Sequence, residues 1–566
     1  MLLRSIAGGR IPTLIRTIAR FAAPWLVIAA AAGMGVAGLL PPAPVGTAAP
    51  AGEFSAERAF AHVAAIARQN RAIGSPGNAA AREYLVAELE AMGITVDLQP
   101  LLVPDYYGGS AGSIRINNII GLIPGFNPAG SVVLMGHYDT PPGVRGANDD
   151  AAAVAAILEA GRALLAGSAL RNNIILLLTD GEEPAPRYGS TEFVAHSPLA
   201  GDVGLVVNFE AVGGSGPSAL IETSGDRQAL IAEYAAADPH PVAYSYLADL
   251  AELLGGSGTD FAPFRDAGIP GFHFAYLHGS PIYHTPDDGP ESVHLSSLQH
   301  QGSHALALAR HFGDLDLDRY RGGGHEVYFS LLGRAVLHYP ARWGIVLVSL
   351  TGLLLTGVLA AGRRSARWSV PRVAAGAAVL LGLALAAALA TDLGWRLVLA
   401  VFWQNGGPSV AAAILVAAVL LAAVAAAVYA GYRRLARRVG DLQMEAAGIA
   451  TWWLFALLAS LLLPGTGYLF AWPALAATLA TGIGLHRGFA ILGWWGRLGV
   501  LGLVAVPTVV LVIPALDTFY QLGQPRPGNV DSQVLDMVAF AGLLAALAAG
   551  LLIPHLRRAL RATASP

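Results

Sequence analysis

Seven apolar stretches fill the chain from residue 343 onward, at 343–361, 373–390, 410–430, 449–463, 468–485, 498–516 and 534–554. A bilayer core of about 30 Å takes roughly 20 helical residues to cross, and segments of this length can satisfy their backbone inside hydrocarbon only as helices. Residues 343–556 are therefore expected to form an all-α membrane domain of about seven helices, followed by a cytoplasmic tail at 557–566. An eighth stretch, 21–40, follows Arg4, Arg10, Arg16 and Arg20, with no acidic residue among them. Its length favours a retained transmembrane anchor over a cleaved signal peptide, for which residues 45–49 offer a small-residue cleavage site.

Arginine placement gives an independent test of topology. Arg363, Arg364 and Arg367, then Arg433, Arg434, Arg437 and Arg438, then Arg487 and Arg497, then Arg557, Arg558 and Arg561 occupy alternate loops. The intervening loops hold only Arg396 and Arg526, although Arg334 and Arg342 precede the first of the seven spans. Positive loops stay cytoplasmic. The expectation is a multi-pass protein of the cell inner membrane with residues 1–20 and the C-terminus cytoplasmic and the segment after residue 40 outside. A composition that is 54% hydrophobic and 13% charged agrees with that class. Asp392, Asp517 and Asp536 fall near span ends, so no functional charge is expected within the spans. Gln404-Asn405-Gly406-Gly407-Pro408 is expected as a loop or re-entrant turn.

The net charge of −3 leaves no basic footprint for nucleic acid. The absence of cysteine excludes disulfides and thiolate metal sites.

Between anchor and spans the character changes. Residues 41–53 form a Pro/Ala/Gly linker, residues 54–313 read as a soluble extracytoplasmic domain, and residues 314–342 as a polar connector. Helices are expected over 58–71, 78–92 and 151–165, and strands over 94–102, 117–123, 131–135, 173–179, 204–209 and 271–276. That alternation predicts an α/β domain with a central, mostly parallel mixed sheet flanked by helices.

Candidate ligands recur at strand ends, where α/β sheets place their chemistry. Gly136-His137-Tyr138-Asp139 and Gly146-Ala147-Asn148-Asp149-Asp150 bracket one strand-to-helix loop. Asp180-Gly181-Glu182-Glu183 follows the next strand, Glu210 ends another, and Tyr283-His284-Thr285-Pro286-Asp287-Asp288 follows a fourth. Histidine nitrogens and carboxylate oxygens converging on one crevice suit zinc, and Asp149 could bridge two ions.

In this order the five motifs resemble metallopeptidase family 28, the co-catalytic di-zinc aminopeptidases and carboxypeptidases, over residues 60–311. The anchor, external domain and multi-span half resemble its endoplasmic-reticulum and vacuolar membrane branch, as does Glu210 where many soluble relatives carry Asp. The resemblance implies a zinc-exopeptidase-like domain with two zinc ions as cofactors. Asp149 would bridge them, His137 and Glu210 would complete one ion, and Glu183 and His284 the other. Glu182 would be the general base, and Asp139 would accept a hydrogen bond from the His137 ring. The family's peptide after the bridging aspartate is often cis, which points to Asp149-Asp150. The implied activity is a membrane-anchored zinc exopeptidase, an aminopeptidase, acting on peptide substrates outside the cytoplasmic membrane. Two rival readings remain: another reaction on the same scaffold, such as glutaminyl cyclisation on a single zinc, and an inactive receptor or scaffold.

Asp260, in Ser257-Gly258-Thr259-Asp260, is a candidate for positioning substrate or for a structural turn. His273, Tyr276, His278 and Tyr283 are candidate oxyanion donors. His294, His300, His304 and His311 are expected on a solvated or packed helix face. Oligomeric state is not legible in the sequence.

Overall fold

The computed structural model describes residues 10–107, 112–184, 187–238, 240–365, 367–402, 410–487, 491–524 and 532–561. Arg4, Gln404-Asn405-Gly406-Gly407-Pro408 and Arg526 lie outside them. The chain divides into two compact units, one built on Gly38–Pro340 and the other on Met1–Ala37 with Ala341–Gly523 and Asp531–Pro566.

The membrane-type unit opens with α1 (Arg10–Ala37). In the other unit, α2 (Ala56–Ile66) and α3 (Pro76–Ala91) start at Ser55 and Ser75, whose hydroxyls accept backbone N–H groups of the first turn. There follow β1 (Thr95–Pro104), β2 (Ser113–Ile123), β3 (Ser131–His137), α4 (Ala153–Leu165), β4 (Asn173–Thr179), α5 (Tyr188–His196) and β5 (Val203–Ala211). The unit continues with β6 (Ala219–Ser224), α6 (Arg227–Ala237), α7 (Ser245–Leu253), α8 (Phe261–Asp266), β7 (Gly271–Tyr276), α9 (Leu295–Gly313), β8 (Glu326–Leu331) and β9 (Ala335–Pro340).

Seven strands form one mixed sheet in the order β1-β2-β4-β3-β5-β7-β6. The four central strands are mutually parallel, and the antiparallel pairs are β1/β2, β2/β4 and β6/β7. Every residue of β3, β5 and β7 is buried, as a strand covered on both faces requires. Successive side chains alternate between faces. Val132 and Leu134 join one core cluster with Ile157 of α4 and Leu308 of α9, while Val133 and Met135 join another with Phe193 of α5 and Phe264 of α8. The parallel register pairs His137 with Thr179 and Glu210 with Ala275, so the carboxyl ends of all four central strands lie at one edge.

Two expectations are corrected. The helix expected over 58–71 stops at Ile66. Asn70 Nδ2 donates to Pro141 O and Val144 O, and Arg71 N donates to Thr140 Oγ1, so tertiary partners replace the helical ladder. The connector expected over 314–342 is largely folded. Tyr320 is fully buried, β8 pairs with β9, and Ser330 exchanges hydrogen bonds with Ala243.

Among the described residues of the second unit, seven helices are long and apolar enough to cross a membrane: Ala19–Ala37, Ala341–Arg364, Val370–Leu397, Asp441–Leu462, Tyr468–His486, Gly493–Leu522 and Met537–Leu560. Val410–Val439 is a further long helix at an expected span. The helix Asp441–Leu462 starts well before the expected 449, which brings Glu445 into its first turns. Glu445 is 1% exposed and accepts from Thr481 Oγ1 and Arg558 Nη1, each at 2.7 Å. A buried carboxylate persists only when paired. The onset of apolar sequence hid it.

Candidate metal centre

The edge formed by β4, β3, β5 and β7 gathers every ligand candidate. His137 ends β3, Glu182 and Glu183 follow β4, Glu210 lies one residue from the end of β5, and His284 follows β7. Asp149 comes from a tight turn, Ala147–Ala152, between β3 and α4. That turn needs Gly146, whose φ is +58° and where a Cβ would lie 2.2 Å from Asp149 O. The peptide Asp149-Asp150 is cis.

Asp149 divides its two oxygens between two groups. Its Oδ1 lies 3.2 Å from His137 Nε2, which is also 3.6 Å from Glu210 Oε2. Its Oδ2 lies 3.1 Å from His284 Nε2, itself 3.1 Å from Glu183 Oε2. Within each trio, His137/Asp149/Glu210 and Asp149/Glu183/His284, one ligand atom per residue lies within 4.8 Å of the others. A third such group, His137/Glu182/Glu183, includes Glu182, whose Oε2 is 4.0 Å from His137 Nε2.

Buried polar atoms test whether a cation belongs there. Asp149 Oδ2, Glu183 Oε1, Glu210 Oε1 and His284 Nε2 are all buried without a hydrogen-bond partner. Native interiors rarely leave such atoms unpaired. Burial pushes the Glu182 carboxyl well above its ordinary range, and burial with the Asp149 charge raises Glu183 to about 8. Burial opposes a charge on His284, yet Asp149 and Glu183 raise it to about 10. These groups reject one another's charges until a cation is shared, and nitrogen with carboxylate oxygen is a donor set that suits zinc.

The surrounding shell holds the ligands in place. Asp139 accepts the backbone N–H of Glu182 at 3.1 Å and of Glu183 at 3.2 Å, while His137 Nδ1 stands 3.4 Å from its Oδ1. Asp288 accepts from Asn148 N at 2.9 Å and Asp149 N at 3.1 Å, tying the last motif to the bridging turn. Asp260 is fully buried and accepts from Ser190 Oγ at 2.5 Å and from Thr179 Oγ1.

Sequence reading missed Arg71. Its guanidinium is fully buried and donates to Tyr138 O at 2.6 Å, Gly146 O at 2.9 Å and Arg145 O, clasping both ends of the ligand loop. Burial lowers it to about 10 against Asp288, Asp139, Asp149 and Asp150, which raise it. Its one sequence signal was a basic residue just before the Gly74-Ser75-Pro76-Gly77 turn.

The remaining candidates divide. His284 stacks on Tyr283, ring centroids 3.8 Å apart. Tyr276 donates to Asn148 Oδ1 at 2.9 Å, a supporting bond to the bridging turn. His273 packs on Phe261 and meets Asn208 at 3.1 Å, away from the trios, and His278 N pairs with Ser215 O. His294 precedes α9, His300 and His304 are buried in it, and His311 meets Glu233 at 2.8 Å.

Residues 118–309 match the model of peptidase family M28. Endoplasmic reticulum metallopeptidase 1 of Homo sapiens is 29% identical over 325 residues, covering 53% of this chain and 36% of the human protein. A vacuolar membrane protease of Candida dubliniensis is 26% identical over 236 residues, covering 41% and 24%. The chain thus spans about a third of the length of the curated relatives it matches first. An aminopeptidase from Aneurinibacillus sp. strain AM-1 aligns at 14% identity and TM-score 0.38, covering 45% of this chain and 94% of its own. Porphyromonas gingivalis glutaminyl cyclase aligns at 20% identity and TM-score 0.37, covering 45% and 96%.

Proposed function

We propose that this chain is a membrane-anchored di-zinc metallopeptidase, an exopeptidase of aminopeptidase type that hydrolyses peptides outside the cytoplasmic membrane. The observation that carries the proposal is the division of Asp149, one oxygen to each trio of donors. A glutaminyl cyclase working on a single zinc needs no such division.

In this reading His137, Asp149 and Glu210 hold one ion and Asp149, Glu183 and His284 the other. Zinc, when bound, lowers the pKa of water and polarises a carbonyl. Glu182 takes a proton from the attacking water as the new oxygen–carbon bond forms. It passes that proton to the departing nitrogen as the carbon–nitrogen bond breaks. Burial raises the Glu182 carboxyl, which strengthens it as a proton acceptor. Asp139 keeps Glu182 and Glu183 facing the same space through their backbone N–H groups.

The membrane-type unit holds the peptidase at a bilayer, which we place at the cell inner membrane with the C-terminus cytoplasmic, as the arginine pattern requires. The test uses the full chain in lipid nanodiscs, with free-amine and N-blocked peptides, with and without chelator. Chelator-sensitive cleavage of free-amine peptides alone is the expected result. Cleavage that survives chelation, or stoichiometric zinc binding with no hydrolysis, overturns the reading.

A further inference from the structure

The loop that carries Glu182 and Glu183 also carries a guanidinium beside them. Tyr188 N donates to Gly181 O at 2.8 Å and Arg187 N to Pro184 O at 2.9 Å, which folds the chain back and returns Arg187 to the glutamates. Arg187 holds a φ of +58°, a left-handed backbone that side chains adopt at a cost and that clusters at functional positions. Its Nε donates to Gly258 O at 2.6 Å and stands 4.0 Å from Glu182 Oε1. Gly258 leaves room for this approach, since a Cβ there would lie 2.8 Å from Arg187 Nη2.

A guanidinium has five N–H donors in a planar fork. Only Nε–H is used on Gly258, and the two terminal amino groups have no hydrogen-bond partner among the described residues. The side chain is 27% exposed where Glu182 is 12% exposed, so solvent reaches it more readily than it reaches the base. An arginine needed only to hold the Gly258 turn would use the one donor it spends there. The ion pair with Glu182 is at the limit of contact, without a hydrogen bond, so it does not account for the fork either. Of the groups around Glu182, Glu183, Glu210 and Asp260 are acidic and His137 is itself a candidate metal ligand, so an anionic substrate group has Arg187 as its complement.

We propose that Arg187 binds the free carboxylate of the substrate residue on the leaving-group side. The substrates of this centre are then peptides cut one residue before a C-terminal carboxylate, dipeptides foremost. Arginine's fork matches a carboxylate with two parallel hydrogen bonds, which lysine cannot do. The proposal rests on the peptidase reading above for the register of the substrate, and its test is arranged so that the two can fail separately.

Binding of Ala-Ala and of its C-terminal amide is measured calorimetrically on zinc-supplied, full-length Glu182→Gln protein in nanodiscs, and again with Arg187→Gln or Arg187→Lys added. The free acid is expected to bind at least about tenfold more tightly than the amide, and both added substitutions should cut that preference to about twofold or less. Equal affinity for acid and amide, no binding of either, or a preference that survives both substitutions overturns the proposal. Retention of the unsubstituted melting temperature by Arg187→Lys separates loss of the fork from loss of the fold. Hydrolysis by the unsubstituted protein is scored apart: chelator-sensitive cleavage without acid preference leaves the peptidase reading standing and removes this one. Acid-selective binding without hydrolysis does the reverse.

Discussion

Asp139 Oδ1 accepts the backbone N–H of Glu182 at 3.1 Å, and its second oxygen does the same for Glu183 at 3.2 Å. One buried carboxylate therefore sets the positions of both glutamates from below. Asp139→Ala should lower kcat/KM by about 10- to 100-fold, the usual cost of removing such a supporting partner. Kinetics on protein with verified zinc content checks this, and unchanged kcat/KM would show that the glutamates hold their own positions.

The division of labour between Glu182 and Asp149 separates chemistry from metal retention. Glu182→Gln should cost at least about 100-fold in kcat, as loss of a general base does, with zinc retained. Asp149→Ala should lose both ions, because each trio includes it. Zinc analysis of the two purified proteins decides the matter, and equal zinc loss in both would overturn the assignment.

Zinc must compete with protons in this centre. Burial opposes the charge on His284, but Asp149 and Glu183 raise it to about 10, and burial and Asp149 raise Glu183 to about 8, so near neutral pH both carry protons in metal-free protein. Binding displaces those protons, so affinity should rise with pH, by about tenfold per unit for each proton released. Zinc titrations in buffers of different ionisation enthalpy measure that release, and pH-independent affinity would contradict it.

Acid should destabilise the peptidase unit through histidines remote from the metal. His300 accepts from Ser218 N at 3.1 Å and its other nitrogen meets His240 O at 2.8 Å, an arrangement for the neutral ring. Burial and the neighbouring His304 lower His300 to about 3. Burial lowers His273 to about 4. Both folded values lie below the unfolded value of about 6.5, so between them the unfolded chain binds protons that the folded one refuses. Stability is then full above about pH 6.5 and falls as pH drops toward 4, by up to about 1.4 kcal/mol per pH unit for each group. Thermal unfolding of this unit across that range tests the slope, and His300→Gln, which preserves one acceptor and one donor, should flatten it.

Much of the centre was legible because its motifs sit where strands end. Periodicity located β3, β4, β5 and β7, and the parallel register brings His137, Glu183, Glu210 and His284 to a common edge. The supporting contacts were less legible, for a physical reason. Arg71, Asp288 and Arg187 act through backbone carbonyls and N–H groups of segments distant in sequence, and such partners leave no pattern of residue types. The helix expected over 58–71 failed on the same ground, since hydrogen bonds to Thr140, Pro141 and Val144 outcompeted local propensity. Glu445 escaped notice because hydropathy marks where a span becomes apolar, and its helix begins two turns earlier.

The ligands are drawn from the ends of four neighbouring strands that are separated by long stretches of chain. No single hairpin or helix pair contains a complete trio, so a partly folded chain has no place to capture the ion. In the proposed di-zinc reading, metal uptake then follows assembly of the central sheet, and zinc acts as a seal on correctly folded copies rather than as a template for folding.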